Sequence, residues 1–127
     1  ICWGTGNPKR EFLFVDDLAE ASIFILEKVS SNNEFIKSKN KYFDEILNIG
    51  TGSDISIKNL AELIAQEFDY KGEIKWDSSK PDGTPRKLLD VSKINKLGWF
   101  AKTKLDKGIK ITIKNYEKEL KSKSLRF

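Results

Sequence analysis

The 127-residue sequence has no methionine, no histidine, one cysteine and three prolines. The missing histidine removes Ser-His-Asp and Cys-His arrangements from this chain, and with them every His-ligated metal site. A lone Cys2 has no internal disulfide partner, fits a reducing compartment, and reads most simply as a small buried hydrophobe. No apolar run approaches the roughly 18 residues that a membrane span needs, and no basic segment followed by an apolar one opens the chain. Arginine is also scarce: of 23 basic residues only Arg10, Arg86 and Arg126 are arginine. The lysines are scattered, whereas a nucleic-acid binder calls for clustered arginine interleaved with aromatics. With no initiator methionine, the chain reads as one piece of a longer protein.

What is present describes an ordinary globular domain, 39% hydrophobic and 33% charged, with a formal net charge of +4. Ile1-Cys2-Trp3 reads as a strand end stopped by Gly4-Thr5-Gly6-Asn7-Pro8. Phe12-Leu13-Phe14-Val15 is a short, wholly apolar run that suits a buried strand. Asp16 stands where it can cap a helix reaching about residue 29, and that helix is apolar on more than one side. The polar stretch 30–41 predicts a surface excursion, and 45–49 the next strand, ended by Gly50-Thr51-Gly52. Ser56 opens the clearest helix, in which Ile57, Leu60, Ala61, Ile64, Ala65 and Phe68 form one apolar stripe. Residues 73–77 alternate as a half-buried strand. Asp90 or Ser92 caps a short helix to Leu97, which Gly98 stops and against whose end Trp99 packs. A last helix, about 105–121, buries Leu105, Ile109, Ile113, Tyr116 and Leu120, and 122–127 is a frayed tail. Alternating strands and helices make the fold class α/β.

Neither Gly-Thr-Gly continues into a nucleotide-phosphate loop, so both read first as turns. Each nevertheless follows the carboxyl end of a strand, where ligands bind in open α/β sheets. Adjacent Asp16 and Asp17 do not converge on one point, which favours capping over acid–base or metal chemistry. The most unusual segment is Ser79-Lys80-Pro81-Asp82-Gly83-Thr84-Pro85-Arg86-Lys87, with three cations stiffened by two prolines. It reads equally as a solvated turn and as a loop that holds a diphosphate through charge-assisted hydrogen bonds. Arg10 has the same two readings. Trp3 is either a core-edge residue or the wall of a pocket on which a base stacks.

The run from Trp3-Gly-Thr-Gly-x-Pro-x-Arg10 through Phe-Leu-x-Val-Asp-Asp17, then Asn48-Ile-Gly-Thr-Gly52, the whole 79–90 segment and Leu97-Gly-Trp99 resemble the GDP-L-fucose synthases. These are extended short-chain dehydrogenase/reductases. The Arg-x-Phe-x-x-Val-x-Asp stretch and the Leu-Gly-Trp ending are shared by many nucleotide-sugar epimerases, whereas Ser-Lys-Pro-Asp-Gly-Thr-Pro-Arg-Lys is far more specific. The resemblance covers essentially the whole chain and about the C-terminal two-fifths of such an enzyme. It implies a Rossmann domain for NADP followed by a smaller domain for the GDP-sugar, and epimerisation at two sugar carbons followed by NADPH reduction of a 4-keto group. The cofactor and catalytic motifs of the family precede this segment, and Cys2 does not match its catalytic cysteine. The chain therefore carries no catalytic, cofactor or metal residue, binds no NADP alone, and is expected to be inactive alone.

What the resemblance carries over is substrate binding: Trp3 bordering the pocket, Arg10 and Lys87 on the diphosphate, and Asp82 and Arg86 as secondary positions in the same loop. It implies one fragment, 1–127, in which 12–29 and 46–49 pack on the missing Rossmann domain and 53–121 form mainly the substrate-binding part. Exposed apolar surface and self-association are expected of the chain on its own. The parent is expected to be a cytoplasmic homodimer joined mostly through its N-terminal half, with no nucleic-acid or membrane partner. Two alternatives stand beside this reading. One is another NAD(P)-dependent nucleotide-sugar epimerase or reductase. The other is a non-enzymatic basic module for nucleic acid or protein, with the steep salt dependence that implies.

Overall fold

The computed structural model describes residues 1–31 and 46–122. Within them run β1 (Cys2–Trp3), β2 (Lys9–Arg10), α1 (Val15–Ser31), β3 (Ile55–Ser56), α2 (Ile57–Glu67), β4 (Trp76–Asp77), β5 (Arg86–Lys87), α3 (Ser92–Lys96) and α4 (Leu105–Ser122). The mixed α/β class matches the expectation from the sequence. The strands are two residues long and form two small ladders. β1 pairs β4 in parallel, and β3-β2-β5 form a three-stranded sheet with β2–β3 antiparallel and β2–β5 parallel.

Two of the expected strands are not strands. Residues 12–14 are irregular and Val15 already belongs to α1, while 46–49 join no ladder. An extended segment becomes a strand only when a neighbour takes up its N–H and C=O groups, and among the described residues neither segment has one. The strand expected over 73–77 is confined to Trp76–Asp77, the length of its pairing with β1. Conversely, Lys9–Arg10 and Arg86–Lys87 lie in stretches that read as loops, and they are strands because they pair with each other.

Helix ends follow local chemistry more closely. Ser56 caps α2, its hydroxyl accepting from the Asn59 N–H at 3.1 Å. The Asp90 carboxylate accepts from the Ser92 N–H at 2.9 Å as α3 opens. Gly98, at φ +101°, takes the left-handed conformation that ends α3. Asp16 sits inside the first turn of α1, which begins one residue earlier, so it is not the cap. Asp17 also departs from a capping role: its carboxylate accepts from the N–H groups of Lys102 (3.0 Å) and Thr103 (2.8 Å) and from the Thr103 hydroxyl (2.8 Å). It ties α1 to the loop before α4, a contact 86 residues away in sequence that capping logic cannot see. The expected excursion at 30–41 lies outside the described residues, apart from Ser30 and Ser31, which are still helical. The expected tail at 122–127 does too, apart from Ser122, which closes α4.

The core is small. Ala21, Val91, Ile94 and Trp99 are buried, with Leu13, Phe24, Ile25, Ile49 and Ala101 packed around them. This joins the inner face of α1 to α3 and to the residue after its stop, so Trp99 packs the helix end as expected, 3% exposed. The stripes of α2 and α4 fare differently. They face each other across an apolar cleft of about 430 Å³ lined by Phe12, Phe14, Leu60, Ile64, Ile109 and Tyr116. The expected burial of Tyr116 and Leu120 does not occur; both are exposed. At 1.5 Å per residue α2 spans roughly 16 Å and α4 roughly 27 Å, so the last turns of α4 outrun α2.

Candidate functional site

The candidate site begins with the register of β2 on β5. The parallel pairing sets Arg10 opposite Lys87 and Lys9 opposite Arg86. Residues opposite one another in a ladder share a face of the sheet, and successive residues alternate between faces. Arg10 and Lys87 therefore lie together on one face, and Arg86 and Lys9 on the other. Four cations on one pair of two-residue strands is a costly arrangement, because like charges directly opposite one another repel.

The chain relieves this on one face only. Arg86 forms an ion pair through Nε with Asp54, whose side chain is nearly buried beside β3. Arg10 donates from Nη1 to the carbonyls of Lys9 (2.6 Å) and Thr84 (2.7 Å), which folds the proline-bounded loop against β2. Neither Arg10 nor Lys87 has a carboxylate partner among the described residues. Lys87 is exposed and Arg10 half-buried, so the pair presents unneutralised charge with several N–H donors left to give. Such a face has the charge and donors to suit an oxyanion bearing more than one negative charge.

The other sequence candidates are placed around this pair with different duties. Asp82 accepts from the Thr5 hydroxyl (2.6 Å) and the Thr5 N–H (2.8 Å), which locks the 79–87 loop to the first Gly-Thr-Gly turn. Those two bonds, the hydroxyl first, hold the Asp82 carboxyl below the usual carboxylate range. Trp3 ends β1 in the other ladder, 75% exposed, with the Lys80 ammonium 5.7 Å from its ring centroid. Glu11 was not singled out from the sequence. One of its oxygens accepts from the N–H groups of Thr51 (2.5 Å) and Gly52 (2.6 Å), and the other from the Leu89 N–H (3.0 Å). It fastens β2 to the second Gly-Thr-Gly turn and to the segment after β5. The only hint in the sequence was a charged residue set between Arg10 and an apolar run.

The two glycine turns give the chain's own carboxylates the donors that a cofactor phosphate would need. A Cβ added at Gly50 would lie 2.5 Å from the Glu11 carboxylate, and one at Gly4 would lie 2.3 Å from that of Asp82. These turns do not fit the phosphates of a dinucleotide. No group of metal-ligating side chains occurs among the described residues. None of their helices is long and apolar enough to cross a membrane. Neither the apolar cleft nor the adjoining one of about 500 Å³, which reaches Thr51, Asp54 and Lys102, is lined by Trp3, Arg10 or Lys87.

The profile of the NAD dependent epimerase/dehydratase family matches residues 1–50. The chain is 47% identical over 116 residues to a probable GDP-L-fucose synthase 1 of Oryza sativa subsp. japonica, covering 91% of this chain and 32% of that protein. It is 45% identical over 112 residues to the GDP-L-fucose synthase of Escherichia coli K12, covering 88% and 34%. A GDP-mannoheptose C4 reductase from Campylobacter jejuni, solved with NADP bound, superimposes with a TM-score of 0.75 at 38% identity, covering 91% and 33%. The chain spans about a third of the length of the curated relatives it matches. Over that third it is similar in sequence to the GDP-L-fucose synthases and in fold to the corresponding part of the reductase.

Proposed function

We propose, with that kinship as the premise, that this chain is the GDP-sugar-binding portion of a GDP-L-fucose synthase. Such a protein converts GDP-4-keto-6-deoxy-D-mannose to GDP-L-fucose by 3,5-epimerisation and NADPH-dependent reduction. The observation that carries the reading is the β2–β5 register, which sets Arg10 beside Lys87 with no carboxylate among the described residues to neutralise either. In this reading Arg10 and Lys87 hold the diphosphate, and Trp3 borders the nucleotide-sugar pocket. Asp82 and Arg86 act indirectly by fixing the loop through Thr5 and Asp54. NADPH, when bound, would supply the hydride for the 4-keto carbon and would be held by the remainder of the parent, since the glycine turns here are filled by Glu11 and Asp82. This chain's own contribution is binding, orientation and charge neutralisation.

The domain assignment follows the same logic. The outer face of α1 exposes Val15, Leu18, Ile23 and Leu26, and Ile46, which opens the 46–49 segment, is exposed as well. In the parent these residues and the unpaired segments at 12–14 and 46–49 pack on the cofactor-binding part. On its own the chain is inactive and self-associates.

The test is turnover by the full-length parent given GDP-4-keto-6-deoxy-D-mannose and NADPH. The reading expects one NADPH consumed per GDP-L-fucose formed, and loss of that turnover in Arg10→Ala or Lys87→Ala. A preference for UDP- or dTDP-sugars would move the protein to another nucleotide-sugar epimerase or reductase.

A further inference from the structure

We propose that Lys80 is a positioning residue for the nucleotide-sugar site. It holds the Trp3 indole by a cation–π contact on one ring face and leaves the opposite face to the ligand. The proposal rests on the GDP-sugar reading above and adds a residue that it does not use.

An indole that is three-quarters exposed pivots about two side-chain torsions unless something holds it. Here the chain places a cation against it by backbone means. Trp3 is registered on Asp77 in the β1–β4 ladder. The Asp77 carbonyl accepts from both the Gly4 N–H (2.9 Å) and the Lys80 N–H (3.2 Å). One carbonyl thus fixes the residue after Trp3 and the backbone of Lys80 together. The Asp77 carboxylate tightens the same turn, accepting from the Ser79 N–H (3.0 Å) and hydroxyl (2.5 Å). Pro81 restricts Lys80 from the other side, and the Asp82–Thr5 bonds close the loop onto the glycine turn. Lys80 forms no ion pair with a described carboxylate. Its ammonium, 5.7 Å from the ring centroid, lies within the range of a cation–π contact.

The consequence is preorganisation. A ring already held in its binding orientation loses less freedom when a ligand stacks on it. The gain is bounded by the strength of an exposed cation–π contact, which corresponds to about a two- to fivefold change in affinity. Because only a cation is required, arginine can replace lysine, whereas a neutral side chain of the same length cannot.

The experiment compares Lys80→Met, Lys80→Arg and Lys87→Ala in the full-length protein with NADPH and the GDP-sugar. It also records the ring-current shift of the Lys80 ε-methylene protons, with Trp3→Leu as reference. The proposal expects an upfield shift that vanishes in Trp3→Leu. It expects a KM about two to five times higher in Lys80→Met, with a larger effect on KM than on kcat, and recovery in Lys80→Arg. Equal losses in the Met and Arg variants would overturn it, as would a Lys80→Met protein indistinguishable from wild type while Lys87→Ala binds poorly. A wild-type protein that takes no GDP-sugar would instead bring down the parent reading, and this inference with it.

Discussion

The polar corner around β2 and β5 and the apolar cleft between α2 and α4 are built from the same short chain and finished to different degrees. In the corner, the carboxylates of Glu11 and Asp82 meet donors from segments 40 to 78 residues away. Across the cleft, Ile64 and Tyr116 remain exposed, and among the described residues four hydrophobic ones are buried elsewhere. Hydrogen bonds are directional and few, so a chain can complete them with its own backbone. Burial scales with area and needs enough polypeptide to cover both faces of every helix. The geometry of the polar corner is therefore fixed by the chain's own backbone, while the apolar faces of α1, α2 and α4 stay partly open among the described residues.

The sharpest way to break that comparison is through the core. Ile94 is fully buried, and Ile94→Ala should cost about 2–5 kcal/mol, a large share of any small domain's stability. Urea unfolding measures it, and a loss under ~1 kcal/mol would mean the four-residue cluster is not the centre of the fold. Next comes Glu11→Ala, which strands the N–H groups of Thr51, Gly52 and Leu89. A loss of about 2–4 kcal/mol is expected from removing bonds to a charged acceptor, again by urea unfolding. Glu11→Gln should recover part of it.

A smaller effect is expected from acid. Burial pushes the Asp17 carboxyl up, but the bonds from Thr103 and Lys102 outweigh it and hold the group below its ordinary range. Asp90, bonded to Ser92 and near Lys96 and Lys93, is lowered as well, and so is Asp82. Depressed carboxylates contribute stability that is present above the unfolded value of about 3.9 and is lost as pH falls through their folded values. The fall in melting temperature below about pH 4 should be shallower in Asp17→Asn, which is already destabilised at neutral pH. Identical acid limbs would sever the link. The smallest expected change is in Leu26→Ser on the open face of α1, where the side chain is 68% exposed. It should alter the stability of the isolated chain by under ~0.5 kcal/mol while reducing its self-association, read by sedimentation velocity. Unchanged self-association would point to a different sticky face.

The two regions also differ in how legible they were in the sequence. Helix positions and stops followed from local chemistry: Ser56 caps, Gly98 ends a helix, and α2 carries its stripe at the expected spacing. The 12–15 and 46–49 segments were read as strands because apolar runs look alike whether or not a neighbour pairs with them. Lys9–Arg10 and Arg86–Lys87 were read as loops because two-residue strands leave no periodicity to detect. That ladder brings Arg10 to Lys87 across 77 residues, so the pairing was invisible even though both residues had been singled out. Glu11 was missed for the same reason, since all of its partners are distant.

The measurement that tests the central claim most directly is a calorimetric double-mutant cycle for GDP binding to the full-length protein, using Arg10→Ala, Lys87→Ala and the pair. A shared diphosphate site predicts that each single change weakens GDP binding by about ten- to a hundredfold, from the loss of a hydrogen bond to a charged group. It also predicts that the double mutant loses less than the sum of the two, since both cations act on one anion. Full affinity for GDP in either single mutant, or strictly additive losses, would mean that the register of β2 on β5 does not build the site.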